Sequence, residues 1–282
     1  MNQRLTRRQF GGLALGSTVV AGLSVLTNKT FAQTSNLVIY GARPLPKDGV
    51  IVLQSLNLTT GVINDLTSAT LESGEKLTVF TSLADGTFIL AISPIRTGKK
   101  ENEPPRLVFI GGSSANKTLN VSGLTNQVTF ESLLGTNDGS LYGLVLKKNF
   151  VPPVELVSIN KTTGEISLIN KIQLPETYRF SNLTQCLNGT IYTNTVGDLG
   201  ETSLVQLDPG QGKAIPLAQL KFNNQVWDSG LSDLVCSPAG QLFALGTSRY
   251  GLTNNLYTVN PKDGAMTLLR EWDVKNITIP HV

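Results

Sequence analysis

Five nine-residue segments of the chain repeat one pattern, and nothing else in the sequence restricts its fold as tightly. They begin at Leu53, Leu107, Leu156, Leu204 and Leu256, at intervals of 54, 49, 48 and 52 residues. An aliphatic residue holds the fourth place (Leu56, Ile110, Ile159, Leu207, Val259). Four segments carry Asn or Asp at the fifth place (Asn57, Asn160, Asp208, Asn260) and Gly at the ninth (Gly61, Gly164, Gly212, Gly264); the segment at 107 departs at both. Alternating apolar residues suit a strand, an Asn or Asp side chain bonds back to its own backbone, and Gly accepts the positive φ that closes a tight turn. A second strand follows each segment, as in 165–169.

A second hairpin signal runs with the same period. Asp85-Gly86, Asp138-Gly139, Asn188-Gly189 and Ala239-Gly240 place their glycines 53, 50 and 51 residues apart. Apolar strands precede them at 77–82, 128–134, 180–186 and 231–237. Two hairpins per period make a four-stranded up-and-down unit, which is one blade of a β-propeller. The expected fold class is therefore all-β, a single five-bladed propeller of four-stranded blades.

Five glycine-closed units meet only four of the earlier hairpins. The segment 36–40 matches the second strand of a blade, and 276–282 lies where a further innermost strand would begin. Ring closure reconciles the two: the C-terminal strand completes the blade begun at the N-terminus and removes both free sheet edges. Pro280 would cost that strand one ladder bond. A six-bladed ring is the rival, and about 250 mature residues leave no room for it.

This "strand, Asn/Asp, turn, Gly, strand" signature resembles that of a broad group of β-propeller repeat proteins, over nearly all of residues 33–282. Fold likeness of this kind implies architecture and says little about function. It also implies where a site would lie: on the face carrying the loops between blades and between each second and third strand. The dipeptides Trp227-Asp228 and Trp272-Asp273 invite comparison with tryptophan–aspartate repeats. They fall 23 and 16 residues after Leu204 and Leu256, out of register with each other, and are read as coincidence.

Residues 1–32 read as an address rather than as fold. Thr6-Arg7-Arg8-Gln9-Phe10 leads into an apolar Gly/Ala-rich stretch ending near Leu26, with a cleavage site expected near Ala32. This resembles a bacterial twin-arginine export signal, although Gly11-Gly12 replaces the usual Leu-Lys. A retained anchor is the alternative, since about 17 apolar residues can just span a bilayer. The expected location is periplasmic or extracellular, with no transmembrane segment in the mature chain.

Composition excludes several classes. With 40% apolar and 15% charged residues the chain can bury a sizeable core. Its net charge of +3 comes from interspersed acids and bases, so no nucleic-acid footprint is expected. One His (His281) and two Cys (Cys186, Cys236) are too few for a His/Cys metal cluster, and no cofactor or metal is expected. No phosphate loop, dinucleotide fingerprint or serine elbow occurs. Cys186 and Cys236 end neighbouring innermost strands; they are expected to be buried free thiols, with a disulfide as the alternative if their Cα atoms approach within about 7 Å.

Candidate site residues lie mainly in the loops of the last two blades. Tyr178, Trp227, Tyr250 and Trp272 gather there with Asp228, Asp233 and Glu271, and rings beside carboxylates suit a sugar or a cationic group. The same rings could instead fill the spaces between blades. Glu131 and Asp233 are the acids on full-length innermost strands, with Asp228 just before one. The charged 93–106 loop is the longest. The expectation is a monomeric binding or interaction module for a protein or carbohydrate ligand. The alternative is a hydrolase or lyase acting on a sugar or lactone through Asp228, Asp233 or Glu131.

Overall fold

A computed structural model of the chain describes residues 37–45, 47–95, 104–112, 116–123, 128–147, 154–173, 178–248 and 251–280. The leader, Tyr250, His281 and most of the 93–106 loop lie outside these. Every regular element among the described residues is a strand, as the alternating apolar pattern dictates. Blade 1 holds β1 (Val38–Leu45), β2 (Val50–Asn57) and β3 (Ile63–Thr70). Blade 2 is β4 (Glu75–Ser82), β5 (Phe88–Pro94), β6 (Arg106–Ile110) and β7 (Lys117–Asn120). Blade 3 is β8 (Val128–Gly135), β9 (Leu141–Lys147), β10 (Val154–Ile159) and β11 (Ile166–Ile172). Blade 4 is β12 (Arg179–Gln185), β13 (Ile191–Val196), β14 (Thr202–Asp208) and β15 (Lys213–Gln219). A small hairpin, β16 (Lys221–Phe222) and β17 (Gln225–Val226), precedes blade 5, which is β18 (Asp233–Cys236), β19 (Leu242–Gly246), β20 (Asn255–Val259) and β21 (Ala265–Glu271).

The ring closes as the sequence predicts. β22 (Asn276–Thr278) pairs antiparallel with β1, Ile277 opposite Gly41, giving blade 1 the order β22-β1-β2-β3. The paired strand stops at Thr278, so Pro280 takes no place in the ladder. Ser82 on the next innermost strand meets Thr278 hydroxyl to hydroxyl at 2.8 Å. Four sheets have four strands and the fifth has six, because β16 pairs parallel with β21 and extends blade 5 by the β16–β17 hairpin; the fold is a five-bladed propeller.

The turn chemistry follows the repeat. Asn57 Oδ1 accepts the N–H groups of Thr59 and Thr60, and Asn160 does the same for Thr162 and Thr163. Gly61 and Gly164 then donate to the Asn57 and Asn160 carbonyls at φ +71° and +78°, a conformation that β-carbon-bearing residues resist. The deviant segment of blade 2 closes differently: Gly111 N–H donates to Asn116 Oδ1.

Hydrophobic burial sits between blades rather than in one central core. Phe109, Phe130 and Leu141 fill the space between blades 2 and 3. Phe180, Leu144 and Leu207 fill the next one, and Tyr257 with Leu204 the one between blades 4 and 5. Sheets bury both faces this way, and strands such as β5 and β19 accordingly run as near-continuous apolar stretches.

The two tryptophans belong to these cores, and their sequence offset has a structural cause. Trp272 follows the outer strand of blade 5 and packs on blade 1, its Nε1 donating to Gln54 Oε1 at 3.1 Å. Trp227 follows the outer strand of blade 4 and packs edge-on against Tyr257 of blade 5, centroids 5.3 Å apart. Gln54 and Tyr257 each come directly after the repeat's leading Leu, so the two indoles occupy equivalent slots. The β16–β17 hairpin leaves after Leu220 and returns, Trp227 N–H bonding the Leu220 carbonyl. That detour of seven residues shifts the dipeptide register.

The expectation of free thiols is overturned. Cys186 and Cys236 form a disulfide, with Cα atoms 5.2 Å apart, between the innermost strands of blades 4 and 5. Blades splay outward from the axis, so neighbouring innermost strands come within bridging range that their outer strands never reach.

Candidate functional site

A single structural device recurs where the innermost strands begin. β4, β8 and β12 each carry one residue more than the partner strand, so the ladder shifts register at Leu77/Val79, Phe130/Ser132 and Ser181/Thr184. The extra residues are Thr78, Glu131 and, within the longer irregularity of β12, Asn182. A bulge re-aims a side chain out of the alternating pattern. In blade 5 the matching place is Ser232, next to the paired Asp233; in blade 1 it is Lys275, next to the paired Asn276. Each blade thus sends one polar or charged side chain to one end of the axis.

These five residues line one pocket of about 480 Å³, open at the face of the inter-blade loops. Arg179, Ser181, Asp228, Ser229 and Asn276 complete its polar wall. Asn182 stands at φ +58°, a left-handed conformation that Asn tolerates better than most residues. Its amide holds it there, donating to Asn194 Oδ1 at 2.9 Å and to the Leu231 carbonyl at 3.1 Å. Positive-φ residues of this kind cluster at functional sites.

The charges at the mouth perturb one another. Burial pushes the Glu131 carboxyl up to about 7, against the opposing pull of Arg179 and Lys76. Burial lowers the Lys275 ammonium, and repulsion from Lys76 lowers it further, while its Nζ donates to the Leu77 carbonyl. Asn276 is only 5% exposed and its Oδ1 has no hydrogen-bond partner. Its amide N–H groups serve the Ser232 carbonyl at 3.5 Å and the Asp233 side chain.

Asp233 lies deeper, among the residues around a cavity of about 20 Å³ on the axis, which is room for roughly one water molecule. Its two carboxylate oxygens accept the N–H groups of Leu234 and Ile277, both at 2.9 Å. Burial raises it to about 7 even against those bonds. This carboxylate ties strands together and does not share the mouth pocket.

Of the residues that the sequence singles out, Glu131 and Asp228 come together at the mouth. Trp227 and Trp272 are buried with their indole N–H groups satisfied by Gly230 O and Gln54, and neither offers a ring face to a ligand. Tyr178 is 37% exposed beside Arg179 but is not part of the pocket wall. Glu271 is exposed and accepts a bond from the Thr253 hydroxyl at 2.8 Å. Tyr250 falls outside the described residues. Among those described, no three His, Cys, Asp or Glu side chains gather as a metal group. Thr78, Asn182, Ser232, Lys275, Asn276 and Arg179 escape a search for aromatic rings and acids. Spacing would have found half of them: eight residues before Gly86, Gly139 and Gly240 stand Thr78, Glu131 and Ser232, and seven before Gly189 stands Asn182.

No protein-family model matches the sequence, and no curated protein sequence does either. Similarity to solved structures is plain at the level of fold. A protein of unknown function from Dyadobacter fermentans superposes with a TM-score of 0.53 at 11% identity, over 84% of this chain and 83% of that one. A candidate 6-phosphogluconolactonase from Bacteroides uniformis gives 0.47 at 13% identity, over 85% and 83%. AofleA from Arthrobotrys oligospora gives 0.49 at 10% identity, over 86% and 72%. At such identities the likeness bears on the fold alone.

Proposed function

We propose that the chain is an exported binding propeller that takes a small polar ligand at the mouth of its axis. One observation carries this reading: all five blades deliver a polar or charged side chain to one pocket, three of them from a bulge and two from just outside the ladder. A volume of about 480 Å³ is in the range of small-molecule sites. Residues 1–32 serve as a twin-arginine signal and 33–282 as the mature monomer. The disulfide supports export, since such bonds persist in oxidising compartments. Replacing Arg7 and Arg8 by Lys should leave the protein in the cytoplasm; undiminished export would remove that part of the reading.

The test of the binding role is a thermal-shift screen of sugars, sugar acids, amino acids and amines against the mature protein. A hit that Glu131→Gln or Arg179→Gln alters supports the mouth as the site. A screen without hits, or hits indifferent to both changes, counts against it.

A second reading, a periplasmic hydrolase or lyase of a sugar or lactone, is favoured by the same pocket. Glu131 and Asp228 share it, and a carboxyl titrating near neutrality suits proton transfer at working pH. Turnover of a lactone abolished by Glu131→Gln, with binding retained, would select this reading over simple binding.

A further inference from the structure

We propose that the mouth pocket selects an uncharged polyhydroxylated ligand of the monosaccharide class, one of its hydroxyls bonded to the Glu131 carboxyl and a C–H face of its ring laid on Val196 and Leu231. This rests on the reading of the mouth as a binding site and narrows it to one chemistry.

Hydrogen bonding singles out Glu131. The Thr78 and Ser232 hydroxyls of the pocket wall donate to the Ala91 carbonyl and to Asn254 Oδ1, both at 3.0 Å, and Lys275 Nζ donates to the Leu77 carbonyl. Ser181 and Asn182 share a network with Asn194, and the Ser229 hydroxyl donates to Asp228 at 3.4 Å. Arg179 and Asp228 are engaged as well, and the Asn276 side chain is buried. Among the described residues nothing bonds the Glu131 carboxyl; Arg179 and Lys76 act on it through charge alone. The bulge in β8 turns this half-buried group toward the pocket, where a carboxyl without a donor is costly.

Charge then chooses among donors. An ammonium would enter beside Arg179 and Lys275 with Lys76 in range, and like charges repel. An anion finds Arg179 and Lys275 already engaged and meets the acids Glu131 and Asp228. A metal ion lacks ligands, since among the described residues no three His, Cys, Asp or Glu side chains gather. A hydroxyl suits both states of a carboxyl that ionises at about 7, donating to the carboxylate and accepting from the acid.

The rest of the wall calls for C–H surface. Val196 and Leu231 are half-buried there, and a Cβ on Gly230 would lie 3.6 Å from Val196 Cγ2, so the glycine keeps that stretch open. One face of a sugar ring is apolar while its rim carries hydroxyls. A monosaccharide therefore meets an aliphatic wall and a single acceptor together, the usual division of labour in a small-molecule site.

The experiment is calorimetric titration of the mature protein with two matched sets: D-glucose, D-glucuronate and D-glucosamine, then D-galactose, D-galacturonate and D-galactosamine. In at least one set the neutral sugar is expected to bind severalfold more tightly than both charged relatives. Glu131→Leu, similar in size and unable to accept, is expected to weaken that sugar about tenfold, the worth of one hydrogen bond to a charged group. Glu131→Gln keeps an acceptor oxygen and should cost less, and it keeps the test open should the leucine variant misfold. A charged member matching or exceeding its neutral relative in both sets would overturn the inference while leaving the mouth as a binding site. A neutral-sugar affinity unmoved by the changes at Glu131 would overturn it as well. If no probe of either set binds, the inference fails, and the wider screen decides whether the binding role fails with it.

Discussion

The carboxylate of Asp233 accepts the backbone N–H of Ile277 at 2.9 Å, joining the innermost strand of blade 5 to the strand that closes blade 1. The bond crosses the seam of the ring, and it does so in a fully buried setting where a charge is expensive. Folding therefore raises this carboxyl from its ordinary 3.8 to about 7.

Stability should depend on pH accordingly. Between about pH 4 and 7 the folded chain keeps a proton that the unfolded chain has released, so the contribution is fully present below this window and lost as pH rises through it. With one pKa unit worth about 1.4 kcal/mol, the loss is on the order of a few kcal/mol. Melting of wild type and Asp233→Asn across pH 4.5 to 8 isolates the effect. Wild type should lose ground against the variant as pH rises; a gain would contradict the assignment.

The pocket carboxyl gives a separate pH signature. Glu131 also ionises at about 7, and each proton lost there adds a negative charge to the pocket. Affinity for an anionic hit from the ligand screen should fall severalfold between pH 6 and 8. Glu131→Gln should flatten most of that fall, and titration calorimetry at four pH values reads the slope.

Reduction should weaken the ring. The Cys186–Cys236 bond closes a 50-residue separation, for which chain entropy gives roughly 4 kcal/mol as an upper figure. A double Cys→Ser variant should unfold at lower denaturant by about 2–4 kcal/mol. Dithiothreitol should lower the melting point of wild type and leave the variant unmoved.

Trp272 should matter to stability and not to ligand. Trp272→Phe keeps an aromatic ring but strands Gln54 Oε1, a cost of about 1–2 kcal/mol, and Trp272→Ala should cost about 3–5 kcal/mol. Denaturant titration measures both. A loss of ligand affinity from Trp272→Phe at unchanged stability would place the ring at the site after all.

Much of the architecture was legible because it is written five times. Asn57, Asn160 and Asn260 announce the same turn at regular intervals, and the offset between first and last blades pointed to a closing strand. The site was harder to see for a physical reason. Thr78, Glu131 and Asn182 are where the ladder shifts register, and a pattern of period two makes no provision for an added residue. The tryptophans misled because a large ring in a loop looks like a binding platform, whereas its area here fills a space between sheets. The disulfide was missed because closeness of Cys186 and Cys236 depends on the convergence of blades, which no local spacing encodes.

The bulges also separate the molecule's two inheritances. Thr78, Glu131 and Ser232 lie outside the apolar positions that hold the sheets together, so an exchange of side chain there leaves the scaffold's packing alone. Specificity could be rewritten through a few codons, one per blade, without renegotiating the cores between them. Such a mouth behaves as a cassette, and relatives sharing the wheel need share nothing of what it grips.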